Sequence, residues 1–584
     1  MELQRILFPK AGRCKEEELY FRIENGKAVL FDTYFNAFSV EKWKKYTKVS
    51  SVFLRLELSG KWKIFLINKE IRNGNLCETV LSEHVIETDS PKHFDFEFKE
   101  NEDKGIYAFK AEALSDKCKI YSGAYCTDLP AEEQKKVKIG ICICTYKREE
   151  FVERNLQVLN EELLAATGSP VFGKLEVFIA DNGKTLDMDK LQTDKIHIYP
   201  NRNLGGAGGF TRGLIEVYNN NNKFGITHIL FMDDDVMIEP EAIIKTYMVL
   251  SLVKREYEDA FIGGAMLRLD EQYIQAESGA IWNGGRLKSL KSNLDLRKCE
   301  NCLYNEQEEK TDYNAWWYCC FPINIVREDN LPLPIFIRWD DIEYGLRNIR
   351  TLILMNGIAV WHEPFENKFS SYLEYYSVRN QLIANALHCP WYDAKYLRRE
   401  MLSRCVQEIM FYRYKNVELY LQGILDYLKG PKWLAAMEGE ELHKRVMALG
   451  YKARPLSDLE ETAHMSFSRR DYEKSCHIPD AGYRKWRRYL TFNGLLLPAQ
   501  GENCIPMAQA KTIQFYRKKR VLHYNETNQT GFITEKSVCL SLKYILKMFW
   551  VMLQASCKYK KIQKAYVTEG RMLMTLTFWK EYLK

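Results

Sequence analysis

Alternation of apolar and polar positions dominates the first 130 residues. Val52-Phe-Leu-Arg-Leu-Glu-Leu58 alternates, Ser59-Gly60 reads as a turn, and Lys61-Trp-Lys-Ile-Phe-Leu-Ile67 runs back, which predicts a hairpin. His93-Phe-Asp-Phe-Glu-Phe98 alternates again, with its Phe side chains on one face. Short strands separated by turn residues predict a β-sandwich or jelly-roll domain over 1–130, with Asp128-Leu-Pro-Ala-Glu-Glu-Gln-Lys-Lys136 as a polar linker.

From Val137 the pattern changes. Val137-Lys-Ile-Gly-Ile-Cys-Ile-Cys144, Leu175-Glu-Val-Phe-Ile-Ala180 and Ile226-Thr-His-Ile-Leu-Phe-Met232 are apolar runs of strand length, and Glu149 to Ala166 has helical spacing. Strands alternating with helices predict a mostly parallel sheet covered on both faces, an α/β domain spanning 131–398. From about 399 to 584 the chain reads as helical, with few strand signals.

Composition narrows the class. With 584 residues, 46% apolar and 28% charged, the chain is long enough for three or four globular domains and unlike a disordered or fibrous one. A net charge of +6 is too slight to point to nucleic acid. Its distribution is uneven: Ser541 to Lys584 holds nine basic and two acidic residues, so the rest of the chain is nearly neutral. The start lacks the pattern of a secretory signal, and no run of about 18 uncharged apolar residues is seen, so a cytoplasmic protein without a transmembrane helix is expected. The sixteen Cys then read as reduced thiols, with Cys299-Glu-Asn-Cys302 as a surface-loop pair lacking the partners of a zinc site.

Five segments carry candidate chemistry. In Phe231-Met-Asp-Asp-Asp-Val236 three carboxylates end a buried strand, where an open α/β sheet places its ligand crevice. Oxygen ligands there suit Mg²⁺ or Mn²⁺, with Asp233 and Asp235 on one face if the strand continues and Asp234 pointing away; a solvated acidic turn opening a helix is the competing reading. Asn201-Arg-Asn-Leu-Gly-Gly-Ala-Gly-Gly-Phe210 reads as a glycine loop that lets backbone amides approach a ligand, or as a flexible turn; it does not fit the GxGxxG spacing. Phe336-Ile-Arg-Trp-Asp-Asp-Ile-Glu could carry a general base, or simply a capped helix start. His362 ends the apolar run Ala359-Val-Trp-His362, as a ligand or a packed imidazole, and Ala315-Trp-Trp-Tyr318 concentrates aromatics that serve a core or a sugar platform equally well.

Taken in order, Cys144-Thr-Tyr-Lys-Arg148, Ala180-Asp-Asn-Gly183, the glycine loop, the triple Asp, the Trp pair, Trp339-Asp-Asp341 and Trp361-His362 resemble the family 2, GT-A-fold glycosyltransferases, specifically the bacterial galactofuranosyltransferases that elongate galactan chains. The resemblance covers about 137–385. It implies a GT-A core with a β domain before it and helices after it. It implies Asp233, Asp235 and His362 as ligands of a divalent cation, Mn²⁺ or Mg²⁺, and Asp341 as the catalytic base. Arg148, Asp181, Asn203, Gly205, Gly206, Gly208, Gly209 and Asp234 would lie by the nucleotide-sugar donor, and Trp316, Trp317, Asp340 and Glu277 by the acceptor. The implied donor is UDP-galactofuranose, and the implied acceptor a glycan or glycolipid. Another nucleotide hexose or deoxyhexose, or a non-catalytic glycan-binding scaffold, are the competing readings; nucleic acid is not expected, and self-association is left open.

The basic tail joins this picture. On a helix, Leu542, Ile545, Leu546, Phe549, Met552 and Leu553 share one side, and Lys543, Lys547, Lys558 and Lys561 the other. That periodicity fits an amphipathic helix on an anionic membrane, or an ordinary packed helix. With a lipid-borne acceptor, the expected location is cytoplasmic and peripheral at the inner face of the membrane.

Overall fold

The computed structural model describes residues 1–8, 20–99, 104–365, 370–463, 465, 467–477, 485–507 and 510–584. The N-terminal β domain is one antiparallel sheet of seven strands rather than two stacked sheets. Its spine is the 20-residue strand Phe53–Arg72, which spans both apolar runs and the Ser59-Gly60 step between them. That step is an irregularity within the strand: ahead of it the strand pairs with Lys119–Cys126, and beyond it with Ile106–Ala113. The return strand of the hairpin is Asn75–Glu97 instead. A bulge bends a strand and increases its twist, so one sheet curls around its own core. Glycine is required at 60, where φ is +96° and a Cβ would press on the backbone of Cys118.

This domain is docked, not tethered. Arg5 pairs with Glu241 at 2.8 Å, and buried Lys245 donates to Gln4 Oε1 at 2.6 Å and to the carbonyl of Asn356 at 2.7 Å. Apolar side chains of the β domain, the α/β domain and the helical region form one continuous core.

The α/β domain is the expected GT-A-type core. Four parallel strands lie in the spatial order Ile196–Pro200, Leu175–Asp181, Ile139–Thr145 and His228–Asp233. Cys319–Pro322 follows antiparallel, then Phe261–Arg268, which pairs in parallel with Leu352–His362. All seven residues of Leu175–Asp181 are buried, which is why the central runs read as continuously apolar. Chain order reverses between Ile139–Thr145 and His228–Asp233, making a topological switch point at their carboxyl ends, where α/β sheets bind ligands. Asp233 pairs in register with Cys144, so the triple Asp and the segment leading to Arg148 lie side by side there.

The helical region begins with Leu373–His388, and the expected boundary after 398 falls inside the helix Ala394–Met410. A small four-stranded sheet, Arg454–Pro455, Glu502–Pro506, Arg520–Asn525 and Thr530–Glu535, was not anticipated, because each strand is too short for its alternation to stand out. Cys299 and Cys302 are on a helix, Cys299–Glu306, and Cys302 is buried, which corrects the surface-loop reading.

The tail forms a 31-residue helix, Val538–Thr568, started by the Ser537 side chain accepting from the Leu540 amide. Its best window has a mean hydropathy of 1.4, long and apolar enough to cross a membrane by length and composition, so the expected absence of such a helix does not hold. Tyr544, Met548, Val551, Ala555 and Tyr559 are the buried face, and Lys547 pairs with Glu418 at 2.5 Å. The apolar side read from the sequence points mostly outward: Leu542, Leu546, Phe549 and Leu553 are exposed.

Candidate active site

The acidic turn is assembled by pairing, not by strand alternation. The strand ends at Asp233, Asp234 and Asp235 form a turn, and Met237–Ile238 then pairs with Val360 and Trp361. This registers His362 beside the turn, and ligand atoms of Asp233, Asp235 and His362 lie within 4.8 Å of one another. His362 Nε2 is 3.3 Å from Asp235 Oδ1, while its buried Nδ1 has no partner among the described residues. Two carboxylates and an imidazole make a donor set suited to a divalent cation such as Mn²⁺ or Mg²⁺. From the neighbouring helix, Asn155 donates to the Asp234 carbonyl at 2.9 Å and Arg154 to that of Val236 at 2.7 Å, which fix the turn.

Arg148 reaches the same turn, 3.0 Å from Asp234 and 2.8 Å from Asp235. Burial pushes the Asp234 carboxyl up, against the pull of Arg148. Asp181 is adjacent but committed: it accepts from the amides of Gly183, Thr185 and Leu186 at 2.7–2.9 Å. It shapes the loop after its strand.

The glycines are not a loop. Gly205 starts the helix Gly205–Phe224, which ends at Gly225 in the left-handed conformation. A Cβ on Gly205 would collide with the Phe336 carbonyl, and one on Gly209 with the Cys144 thiol, so these glycines bring the helix start against the central strand and the catalytic loop. Gly208 likewise leaves no room, packing on Leu204. Gly206 faces Asp340, whose Oδ2 would be 3.5 Å from its Cβ. Asn203 accepts from the Gly205 amide at 3.1 Å. The Ala207 amide donates to the Phe336 carbonyl at 3.1 Å and that of Gly208 to Leu204 at 3.3 Å, so what this helix start offers the switch point is chiefly the positive end of its dipole.

The loop 335–339 is the most distorted backbone of the site. Phe336, Arg338 and Trp339 have φ of 75°, 69° and 65°, unusual for residues with side chains. Buried Asn380 holds it by donating to the carbonyls of Ile335, Ile337 and Arg338 at 2.7–3.0 Å. Arg379 adds a bond to Ile335 at 2.7 Å, and Trp339 Nε1 donates to Ser377 at 2.8 Å. The distortion turns the chain into the helix Asp340–Asn348, whose first two residues are the paired acids.

Asp340 is buried beside the glycine helix and feels the charge of Asp233, and burial and Asp341 hold its carboxyl well above the usual range. Asp341 is pushed up to about 6 by burial, with Arg338 opposing. Its charge is felt by Glu277 and Tyr313. Glu277 is raised to about 7, mainly by burial, and its Oε1 is buried without a partner among the described residues. Asp341 and Glu277 thus lie near one another.

The Trp pair divides. Trp316 is buried among Phe210, Phe231 and Tyr344, which corrects its placement as a sugar platform. Trp317 is also buried, with Nε1 donating to Gly264 at 2.9 Å and its ring 6.3 Å from Phe365, which in turn lies 5.3 Å from His362. It supports the site from beneath. Sequence reading missed Asn380, Arg379 and Arg338; no local motif marks the first two, which act from a helix about 40 residues downstream.

Residues 13–128 match the family model described as Galactofuranosyltransferase 2 N-terminal. The chain is 28% identical over 438 residues to galactofuranosyltransferase GlfT2 of Mycolicibacterium smegmatis, covering 69% of this chain and 64% of the relative. The corresponding protein of Mycobacterium tuberculosis is 27% identical over 448 residues, 69% of this chain and 66% of the relative. The matches therefore span just under two thirds of the relatives' length. Among solved structures, a mannosyltransferase from Pyrobaculum calidifontis in complex with GDP-Man and Mn²⁺ is 12% identical over 55% of this chain and 83% of its own, with a TM-score of 0.28, too low to argue from. The β domain resembles the N-terminal domain of galactofuranosyltransferase 2, and the chain as a whole is similar to the GlfT2 galactofuranosyltransferases over about two thirds of its length.

Proposed function

We propose that this protein is an inverting, metal-dependent glycosyltransferase that moves galactofuranose from UDP-galactofuranose to a hydroxyl of a growing cell-surface glycan. The observation that carries this reading is the cluster of Asp233, Asp235 and His362 at the switch point, with the carboxyls of Asp341 and Glu277 near one another in the same region. A divalent cation held by the first three would supply Lewis-acid stabilisation of charge on a departing diphosphate. Arg148 and the positive dipole end of helix Gly205–Phe224 meet the phosphates.

Asp341 takes the proton of the acceptor hydroxyl. The oxygen bonds to the anomeric carbon from the face opposite UDP, and the carbon–oxygen bond to the diphosphate breaks with its electron pair. One displacement with one base inverts the centre, giving a β-linkage from an α-linked donor. A base raised to about 6 is ionised at neutral pH yet basic enough to help. Glu277, beside it, holds an acceptor hydroxyl.

Peripheral membrane contact at the inner face completes the reading. Leu542, Leu546, Phe549, Trp550 and Leu553 form an exposed apolar stripe, flanked by the exposed Lys543 and Lys558, on a helix whose opposite face is docked on the protein. Such a helix lies on an anionic bilayer rather than crossing it.

The test is a panel of nucleotide sugars with purified protein, Mn²⁺ and short galactan acceptors, followed by product mass. Turnover of UDP-galactofuranose alone supports the reading. Turnover of another nucleotide hexose, with none from UDP-galactofuranose, replaces the donor, and binding of glycan without any transfer returns it to a scaffold.

A further inference from the structure

A groove of about 1050 Å³ runs past Arg338, Trp339 and Phe365. Arg338 and Trp339, which lead into Asp340 and Asp341, form its inner end. One wall is a single face of the helix Ala394–Met410: Tyr396, Arg399, Glu400, Ser403 and Gln407 recur at the three- and four-residue spacing of one helical side. At that volume it exceeds the roughly 300–1,000 Å³ common for small-ligand pockets, which suits an elongated occupant.

Its chemistry is that of a polyhydroxylated chain. Trp391 and Tyr396, 49% and 47% exposed, meet edge to face at 5.4 Å, and Tyr392 stacks on Tyr396 at 6.1 Å. Aromatic rings cover the apolar faces of sugars, and their exposure has no other occupant among the described residues. Charges of both signs alternate between them: Glu400 accepts from Tyr392 at 2.6 Å and from Gln381 at 3.0 Å, and exposed Arg399 stands one position before it. Paired hydroxyls accept from and donate to such groups, whereas a lipid tail would leave them unsatisfied. A second hollow of about 700 Å³ shares Arg399, Ser403 and Gln407 and continues to Phe411 and Asn493, so the path does not end at the aromatic cluster.

We propose that this groove binds the glycan acceptor several sugars away from the reacting hydroxyl, with Trp391 and Tyr396 as its distal platform. The inference rests on the function proposed above and adds to it a site that measures acceptor length. Both side chains project from the surface, so their removal leaves the core intact.

The experiment compares wild type with Trp391→Ala/Tyr396→Ala on a disaccharide acceptor and on acceptors of six or more sugars. The expected result is an unchanged kcat/KM for the disaccharide, with KM for the long acceptors raised about tenfold at similar kcat, and shorter products. Trp391→Phe/Tyr396→Phe should restore most of the loss. Equal kinetics on long acceptors overturns the groove while leaving the transferase reading standing. If wild type transfers no sugar at all, that reading fails, and the groove is judged by tryptophan fluorescence titrated with the long oligosaccharide. Binding lost in the alanine variant supports it, and no binding by wild type overturns it.

Discussion

The side-chain amide of Asn380 lies 2.9 Å from the carbonyl of Arg338, and the same amide also serves Ile335 and Ile337. Two protons shared among three carbonyls pin a loop whose left-handed φ values would otherwise relax. Asn380 touches no reacting atom, so it is a positioning residue for Asp341. Asn380→Ala should lower kcat at least tenfold while leaving UDP binding unchanged. Calorimetry with UDP and steady-state kinetics separate the two; a parallel loss of UDP affinity would mean the fold, not the base, was disturbed.

The pH dependence follows from Asp341. Its carboxyl is raised to about 6, so the ionised base is present above that pH, and kcat/KM should fall about tenfold per unit below it. Stability runs the other way. Folding favours the neutral acid, so this group's contribution is largest at low pH and declines as pH rises through 6. Asp341→Asn should therefore abolish transfer yet raise the thermal midpoint at pH 7.5, read by scanning fluorimetry.

Metal binding is testable without turnover. Mn²⁺ at about 100 times its dissociation constant should stabilise wild type by about 2.7 kcal/mol, and EDTA should reverse the shift. Asp235→Asn and His362→Ala should each remove most of it. An undiminished Mn²⁺ shift in both variants would count against Asp233, Asp235 and His362 as the ligand set.

Gly209→Ala should destabilise by about 1–3 kcal/mol, because its Cβ meets the Cys144 thiol on the central strand. Cys144→Ala in the same chain should recover part of the loss, as expected for residues in contact. Chemical denaturation of the four variants closes the cycle, and strict additivity would show that the two sites are not packed together.

Leu546 and Leu553 are 70% and 66% exposed, so Leu546→Glu/Leu553→Glu should keep the fold and transfer to short soluble acceptors. Sedimentation with anionic liposomes should drop at least fivefold. Truncation before Ser541 is the poorer test, since Trp579 is fully buried and its Nε1 donates to Pro332 at 2.8 Å.

Local pattern was enough for the β domain, the parallel strands and the acids at the end of His228–Asp233, because strand burial and carboxylate clustering are written in consecutive residues. It misled where one segment's meaning depends on another. The glycines looked like a loop because their flexibility is visible in sequence, whereas the Cys144 and Phe336 contacts that demand them are not. Trp316 and Trp317 looked like a possible sugar platform, yet both are buried, Trp316 against Phe231 and Trp317 against Phe365, which only the tertiary ring contacts reveal.

What the sequence by itself determined was the class of chemistry, through a set of acids, an imidazole and glycines in a recognisable order. Which acids work together was decided by tertiary structure. His362 joins Asp233 and Asp235 because Met237–Ile238 pairs with Trp361, and Asp340 and Asp341 are placed by a strained loop, pinned by Asn380, that starts their helix. Both outcomes rest on hydrogen bonds between segments some 40 to 130 residues apart, and no periodicity within a single segment encodes them.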